Sequence, residues 1–129
     1  MLIVDDSAAI RQIVQRAFKL KKLPVGKVLE AGDGLEALES LKSHTVDIIF
    51  ADINMPHMDG LQFLAAVRAV EKWKAIPIVM ITTEGSEHKV REALQLGASG
   101  YMRKPFTAEQ VKEKLAAVVS FDSGELKSI

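Results

Sequence analysis

Five short apolar runs, at residues 1–4, 28–31, 46–51, 76–81 and 99–103, alternate with five stretches whose apolar residues recur at helical spacing. The runs at 1–4, 46–51 and 76–81 are apolar almost without interruption, the pattern of strands buried on both faces. Those at 28–31 and 99–103 are half polar. Between and after the runs come Ile10, Ile13, Val14, Ala17 and Phe18, then Leu35, Leu38 and Leu41, then Leu61, Phe63, Leu64 and Val67. Val90, Ala93 and Leu94 mark a fourth helix, and Val111, Leu115, Val118 and Val119 a fifth. Ser7 and Thr107 are placed as N-caps, and Pro24 closes the first helix. A Gly32-Asp33-Gly34 turn opens the second helix, the third runs from about 59 to 72, and Gly97 is placed as a C-cap of the fourth.

Strand–helix alternation with short connections predicts an α/β fold: one doubly wound (βα)5 domain with a five-stranded parallel sheet and helices on both faces. The continuously apolar strands belong at the centre and the half-polar ones at the edges. That placement is compatible with the order 2-1-3-4-5, one of the common orders of such sheets, without being derivable from the pattern. Residues 1–120 are expected to form this domain. Residues 121–129 read as a C-terminal tail or a truncated linker.

The polar residues that end the apolar runs carry the chemistry. The first run ends in Asp5-Asp6, the third in Asp52, the fourth in Thr82-Thr83 and the fifth in Lys104-Pro105. In an open parallel sheet the carboxyl ends of the strands line the ligand crevice, so these groups are expected to converge. Carboxylates ~4 Å apart repel by about 4 kcal/mol per pair at an effective dielectric of ~20. A divalent cation relieves that repulsion, and all-oxygen ligands select a hard ion such as Mg²⁺. Asp5, Asp6 and Asp52 are the expected ligands, with the backbone carbonyl of Asn54 as a further one. Asp52 can then act as a nucleophile toward phosphorus, with Lys104 supplying a point charge and Thr82 a hydroxyl to the phosphoryl oxygens.

Bulk properties narrow the field. At 129 residues the chain is long enough for a single domain burying roughly two-thirds of its unfolded surface. Lys plus Arg and Asp plus Glu both number 17, so the overall charge gives no reason to expect nucleic acid. No cysteine is present, which excludes disulfides and thiolate metal sites. The apolar runs fall well short of the ~20 residues of a membrane span, and no signal peptide is visible. A cytoplasmic protein is expected.

Taken together, Asp5-Asp6, the block from Asp52 through Asn54-Met55-Pro56-His57-Met58 to Asp59-Gly60, Met80-Ile81-Thr82 and Lys104-Pro105-Phe106 resemble the receiver domains of two-component response regulators, over essentially the whole chain. Asn54, Glu84 and Tyr101 also match the single-domain chemotaxis type. The resemblance implies a flavodoxin-like fold and phosphotransfer to Asp52 from a histidine kinase or histidine phosphotransfer protein. It implies Mg²⁺ on Asp5 and Asp6, phosphoryl binding by Lys104, and a switch formed by Thr82 and Tyr101. The output is then contact of a monomer with a downstream protein through residues 87–96, Tyr101 and the last helix, without nucleic acid or membrane insertion. Asn54, Thr83 and Glu84 would tune the lifetime of the phosphorylated state. Thr83 departs from the alanine often found there, and its β-branched side chain would shield the acyl phosphate.

Other readings compete with this one. Asp5-Asp6 alone fits a helix-capping pair, Thr82 alone a β-favouring residue and Tyr101 alone a half-buried edge aromatic. Met55 and Met58 read as gap fillers, and His44, His57 and His88, lacking metal-ligand spacing, as surface residues. Gly32-Asp33-Gly34-Leu35-Glu36-Ala37 fits a dinucleotide-binding fingerprint, but Asp33 would stand where pyrophosphate must dock. An aspartate-nucleophile phosphatase needs an acid two residues after the nucleophile, where this chain has Asn54. A third alternative is a receiver cut from a longer regulator with an output domain.

Overall fold

Strands and helices alternate strictly in the computed structural model, which describes residues 1–20, 28–83, 87–104 and 106–119. The first two units are β1 (Leu2–Val4), α1 (Ala8–Leu20), β2 (Leu29–Ala31) and α2 (Gly34–Ser43). β3 (Ile49–Asp52), α3 (Gly60–Arg68), β4 (Ile78–Thr82), α4 (Glu87–Gln95), β5 (Gly100–Arg103) and α5 (Ala108–Val119) follow. The strands form one sheet in the order β2-β1-β3-β4-β5, with every neighbouring pair parallel. As the pattern required, the continuously apolar strands are internal and the half-polar ones are edges. Pro24, Glu84, Pro105 and residues 121–129 lie outside the described residues.

The period of two along each strand divides the core into two layers. Leu2 and Val4, Ile49 and Ala51, and Ile78 and Met80 face one side, packed with Ala37 and Leu41 of α2, Phe63, Leu64 and Val67 of α3, and Ala93 of α4. Ile3, Phe50, Val79, Ile81 and Met102 face the other, with Val14 of α1 and Val111 of α5. Both sheet faces are thus sealed, and the carboxyl ends of the strands are left as the open edge.

Local chemistry sets most helix ends. Ser7 Oγ accepts from the Ile10 N–H at 3.3 Å, and Thr107 forms a capping box with Gln110, giving at 2.8 Å and accepting at 3.1 Å. Gly97 adopts φ +103°, and the Ala98 N–H reaches back to the Ala93 carbonyl at 3.0 Å, closing α4 as expected. The third helix stops at Arg68 rather than near 72. Continuing it would bring Glu71 and Lys74 onto the stripe occupied by Gly60, Phe63, Leu64 and Val67, and carry Trp73 off it. Successive turns instead tuck Trp73 into the core at 9% exposure. Arg68 fastens the turn by donating to the carbonyls of Ile76 at 2.8 Å and Gly97 at 3.0 Å.

The glycine-flanked turn before α2 proves to be a cap. Asp33 is the N-cap, its Oδ1 accepting from the Glu36 N–H at 2.9 Å, and Glu36 accepts from the Gly32 N–H at 3.1 Å. The helix terminus that a pyrophosphate would need is therefore filled by the chain's own carboxylate. That backbone hydrogen bond, followed by one from His57, holds the Asp33 carboxyl below its ordinary pKa. Asp33→Ala is expected to lower stability by about 1–2 kcal/mol, read from urea unfolding midpoints.

Candidate functional site

Strand register brings the predicted groups together. Val4 pairs with Ala51, Asp52 with Ile81, and Ile81 with Met102, so Asp5, just past β1, is level with Asp52 at the end of β3, and Lys104, just past β5, stands two positions beyond that level. Each follows by two positions a residue of the same core layer, namely Ile3, Phe50 and Met102, which places all three on one side of the sheet. The Asp5 N–H donates to the Ala31 carbonyl at 3.0 Å and the Lys104 N–H to the Thr82 carbonyl at 2.7 Å, extending the ladders to the rim.

Asp5 is fully buried and Asp52 is 3% exposed, while Asp6 is exposed. Lys104 Nζ stands 3.1 Å from Asp5 Oδ2 and 3.5 Å from Asp52 Oδ2. Asp5 Oδ1 accepts from the Ser7 N–H at 2.8 Å, and Asp52 Oδ1 from the Asn54 N–H at 3.4 Å. Burial raises the Asp52 pKa to about 6, helped by the Asp5 charge and opposed by Lys104 and the Asn54 N–H. At neutral pH the group remains mostly ionised, as a nucleophile must be.

Two observations bear on a metal. One ligand oxygen each from Asp5, Asp6 and Asp52 lies within 4.8 Å of the others. Asp5 Oδ2 is buried without a hydrogen bond, although the Lys104 ammonium forms an ion pair with it. Three carboxylates gathered this closely, one of them with a buried oxygen that accepts no hydrogen bond, form a donor set suited to a hard divalent cation.

The loop after β3 is fixed from several sides. Gly60 gives its N–H to the Ile53 carbonyl at 2.8 Å, and a Cβ there would lie 2.2 Å from the Asp52 carbonyl oxygen. Only glycine permits that approach. His57 adopts φ +63°, and its Nδ1 lies 2.8 Å from Asp33 Oδ2, while the Gly34 N–H donates to the Met58 carbonyl at 3.1 Å. Exposed as expected, His57 nevertheless has a buried partner that sequence reasoning missed. Met55 and Met58 pack against the core as gap fillers.

Thr82 ends β4, Thr83 follows it, and Tyr101 lies on the edge strand β5. Thr82 is buried, its hydroxyl donating to the Thr83 carbonyl at 3.3 Å. Thr83 is exposed, and so is Tyr101, at 43%, with Lys114 Nζ 5.6 Å from its ring centroid. Two further residues escaped sequence reasoning. Arg11 of α1 donates through Nη1 to the Asp5 carbonyl and is held by Glu30 at 2.9 Å. Lys89 of α4 donates to Asn54 Oδ1 at 2.9 Å. A lysine in the first turn of a helix opposes the macrodipole, and that local conflict was the available signal.

Comparison with known proteins agrees with this geometry. The family model described as response regulator receiver domain matches residues 1–116. The chemotaxis protein CheY homolog of Campylobacter jejuni is 43% identical over 126 residues, covering 97% of this chain and 95% of the relative. Chemotaxis protein CheY1 of Helicobacter pylori is 43% identical over 120 residues, covering 92% and 95%. Among solved structures, chemotaxis response regulator CheY4 of Vibrio cholerae superposes with a TM-score of 0.81 at 40% identity, over 91% of this chain and 95% of that one. The receiver domain of AraT from Geobacillus stearothermophilus gives 0.85 at 34% identity, over 96% and 95%. Among the described residues no helix is long and apolar enough to cross a membrane. With fold and sequence in agreement over most of its length, the chain belongs to the response regulator receiver domains and is closely related to the chemotaxis regulators.

Proposed function

We propose that the protein is a phosphoacceptor switch of chemotaxis-like two-component signalling, with Asp52 as the acceptor. The observation that carries this is one buried carboxylate at the end of a central strand, sharing its space with Asp5, Asp6 and the Lys104 ammonium. A histidine kinase or histidine phosphotransfer protein is the donor. An Asp52 carboxylate oxygen forms the new bond to phosphorus as the phosphorus–nitrogen bond of the donor's phosphohistidine breaks. Asp5, Asp6 and Asp52, with the Asn54 carbonyl, are the residues that would hold Mg²⁺. Bound there, Mg²⁺ supplies positive charge against the carboxylate repulsion and toward the phosphoryl oxygens. Lys104 is in place to pair with one of those oxygens. With Asn54 where a phosphatase has a general acid, the domain is suited to holding a phosphoryl group rather than to turnover of an external substrate.

Thr82 and Tyr101 are the proposed switch. Rotation of the Thr82 hydroxyl from the Thr83 carbonyl toward a phosphoryl group would open room for Tyr101 to turn inward from the edge strand. The surface of residues 87–96, β5 and α5 would then change shape for a downstream protein. Asn54, Thr83 and Glu84 are the proposed determinants of phosphorylation lifetime. Incubation with acetyl phosphate and Mg²⁺ is expected to add one phosphoryl group by intact mass, and Asp52→Asn to abolish it. Undiminished labelling of a folded Asp52→Asn variant would overturn the assignment.

A further inference from the structure

α4 is joined to the acceptor loop by a contact that bypasses Thr82 and Tyr101. Lys89, in the first turn of α4, donates to Asn54 Oδ1 at 2.9 Å, across 35 positions of sequence. Asn54 in turn gives its backbone N–H to Asp52 Oδ1 at 3.4 Å. The acceptor carboxylate is therefore connected to α4 through one residue. The cation stands at the helix end where the macrodipole disfavours it, so the helix itself gives no reason for its position. The neighbouring cluster does, because Asp5, Asp6 and Asp52 outnumber the single ammonium of Lys104 among them.

We propose that Lys89 is a phosphoryl-responsive latch, tying α4 to Asn54 at rest and exchanging that neutral amide for phosphoryl oxygens once Asp52 is modified. The inference rests on the phosphoacceptor reading and adds to it a second route from the crevice to α4. A phosphoryl group brings close to two negative charges and three strong acceptors to Asp52. An ammonium gains roughly twice as much from a charged acceptor as from a neutral amide oxygen. Released from Asn54, Lys89 draws the first turn of α4 toward the crevice. Lys104 has no such freedom, since its backbone N–H is tied to Thr82 and its ammonium already lies between Asp5 and Asp52.

Lys89→Met removes both the hydrogen bond and the charge without disturbing the core, and relieves the conflict with the helix dipole. The test is backbone amide NMR of wild type, Lys89→Met and Lys89→Arg, with Mg²⁺ alone and with Mg²⁺ plus beryllofluoride. In all three, the mimic should shift the amides of residues 52–54. In Lys89→Met the shifts across residues 88–95 should fall by about half or more, and Lys89→Arg should restore most of them. Shifts of wild-type size at 88–95 in Lys89→Met, with 52–54 responding, would overturn the latch and leave the phosphoacceptor reading intact. Equal loss in Lys89→Met and Lys89→Arg would also overturn it, since the effect would then not follow the charge. No response at 52–54 in wild type would overturn both.

Discussion

Gly60→Ala is expected to destabilise the protein by about 3 kcal/mol or more, near the upper end for a single overpacking substitution. The added Cβ would lie 2.2 Å from the Asp52 carbonyl oxygen and 2.7 Å from Ile53 Cα. Both are backbone atoms at the end of β3, where Asp52 stands. A rotamer change cannot relieve the clash, because the two nearest atoms are main chain. Either α3 withdraws from the sheet or the end of β3 moves, and movement of β3 displaces the Asp52 carboxylate from its neighbours. The loss should therefore appear twice, as a lower urea midpoint and as weaker Mg²⁺ binding in whatever fraction stays folded. Gly32→Ala is the matched control. Its Cβ would first meet the flexible Glu36 carboxylate at 3.4 Å, and its effect should be a small fraction of that at Gly60. Comparable losses at the two positions would show that the close approach at Gly60 is not what makes glycine necessary.

Asp52→Asn should make the metal-free protein more stable at neutral pH while abolishing phosphoryl transfer. The folded-state pKa of Asp52, about 6, lies above the ordinary carboxylate value of 3.8. Between those values the folded state binds more protons than the unfolded one, so stability falls as pH rises through the window. Below it both states are protonated and the penalty vanishes. Above it the penalty is complete, about 2–3 kcal/mol before relaxation of the site reduces it. In chelator, Asp52→Asn should melt several degrees above wild type at pH 7.5, and the gap should close toward pH 4. Millimolar Mg²⁺ should narrow or reverse the gap by stabilising wild type more than the variant, through mass action on the folded state. A gap that stays constant from pH 4 to 8 would mean that the Asp52 carboxylate is not strained by its surroundings. The trade follows from chemistry: a carboxylate buried beside another carboxylate destabilises the resting fold.

The proximity of Arg11 to the same cluster shows how such a site is kept in order. Its guanidinium is directed to the Asp5 carbonyl and to Glu30, not to the Asp5 carboxylate. With Ser7 taking Asp5 Oδ1, the other oxygen of Asp5 is left to the ion pair with Lys104. The arrangement holds Asp5 through its own backbone and leaves its carboxylate to the cluster.

The chain by itself determined the fold class, which strands are central, the caps at Ser7, Thr107 and Gly97, and the residues of the acidic cluster. These follow from periodicity and from turn chemistry, both properties of a few consecutive residues. A parallel sheet then forces Asp5, Asp52, Thr82 and Lys104 toward one edge, whatever the details of packing. The end of α3 at Arg68 was decided by tertiary structure, because the buried stripe would otherwise have admitted Glu71 and Lys74. So was the need for glycine at position 60, which depends on how closely α3 approaches the backbone of β3. The pairs Asp33–His57 and Lys89–Asn54 join residues 24 and 35 positions apart, and no local pattern encodes such a distance. Short-range preferences fix the elements and the level of the strand ends. Which side chains meet across them depends on the helices being docked, and only the folded chain supplies that.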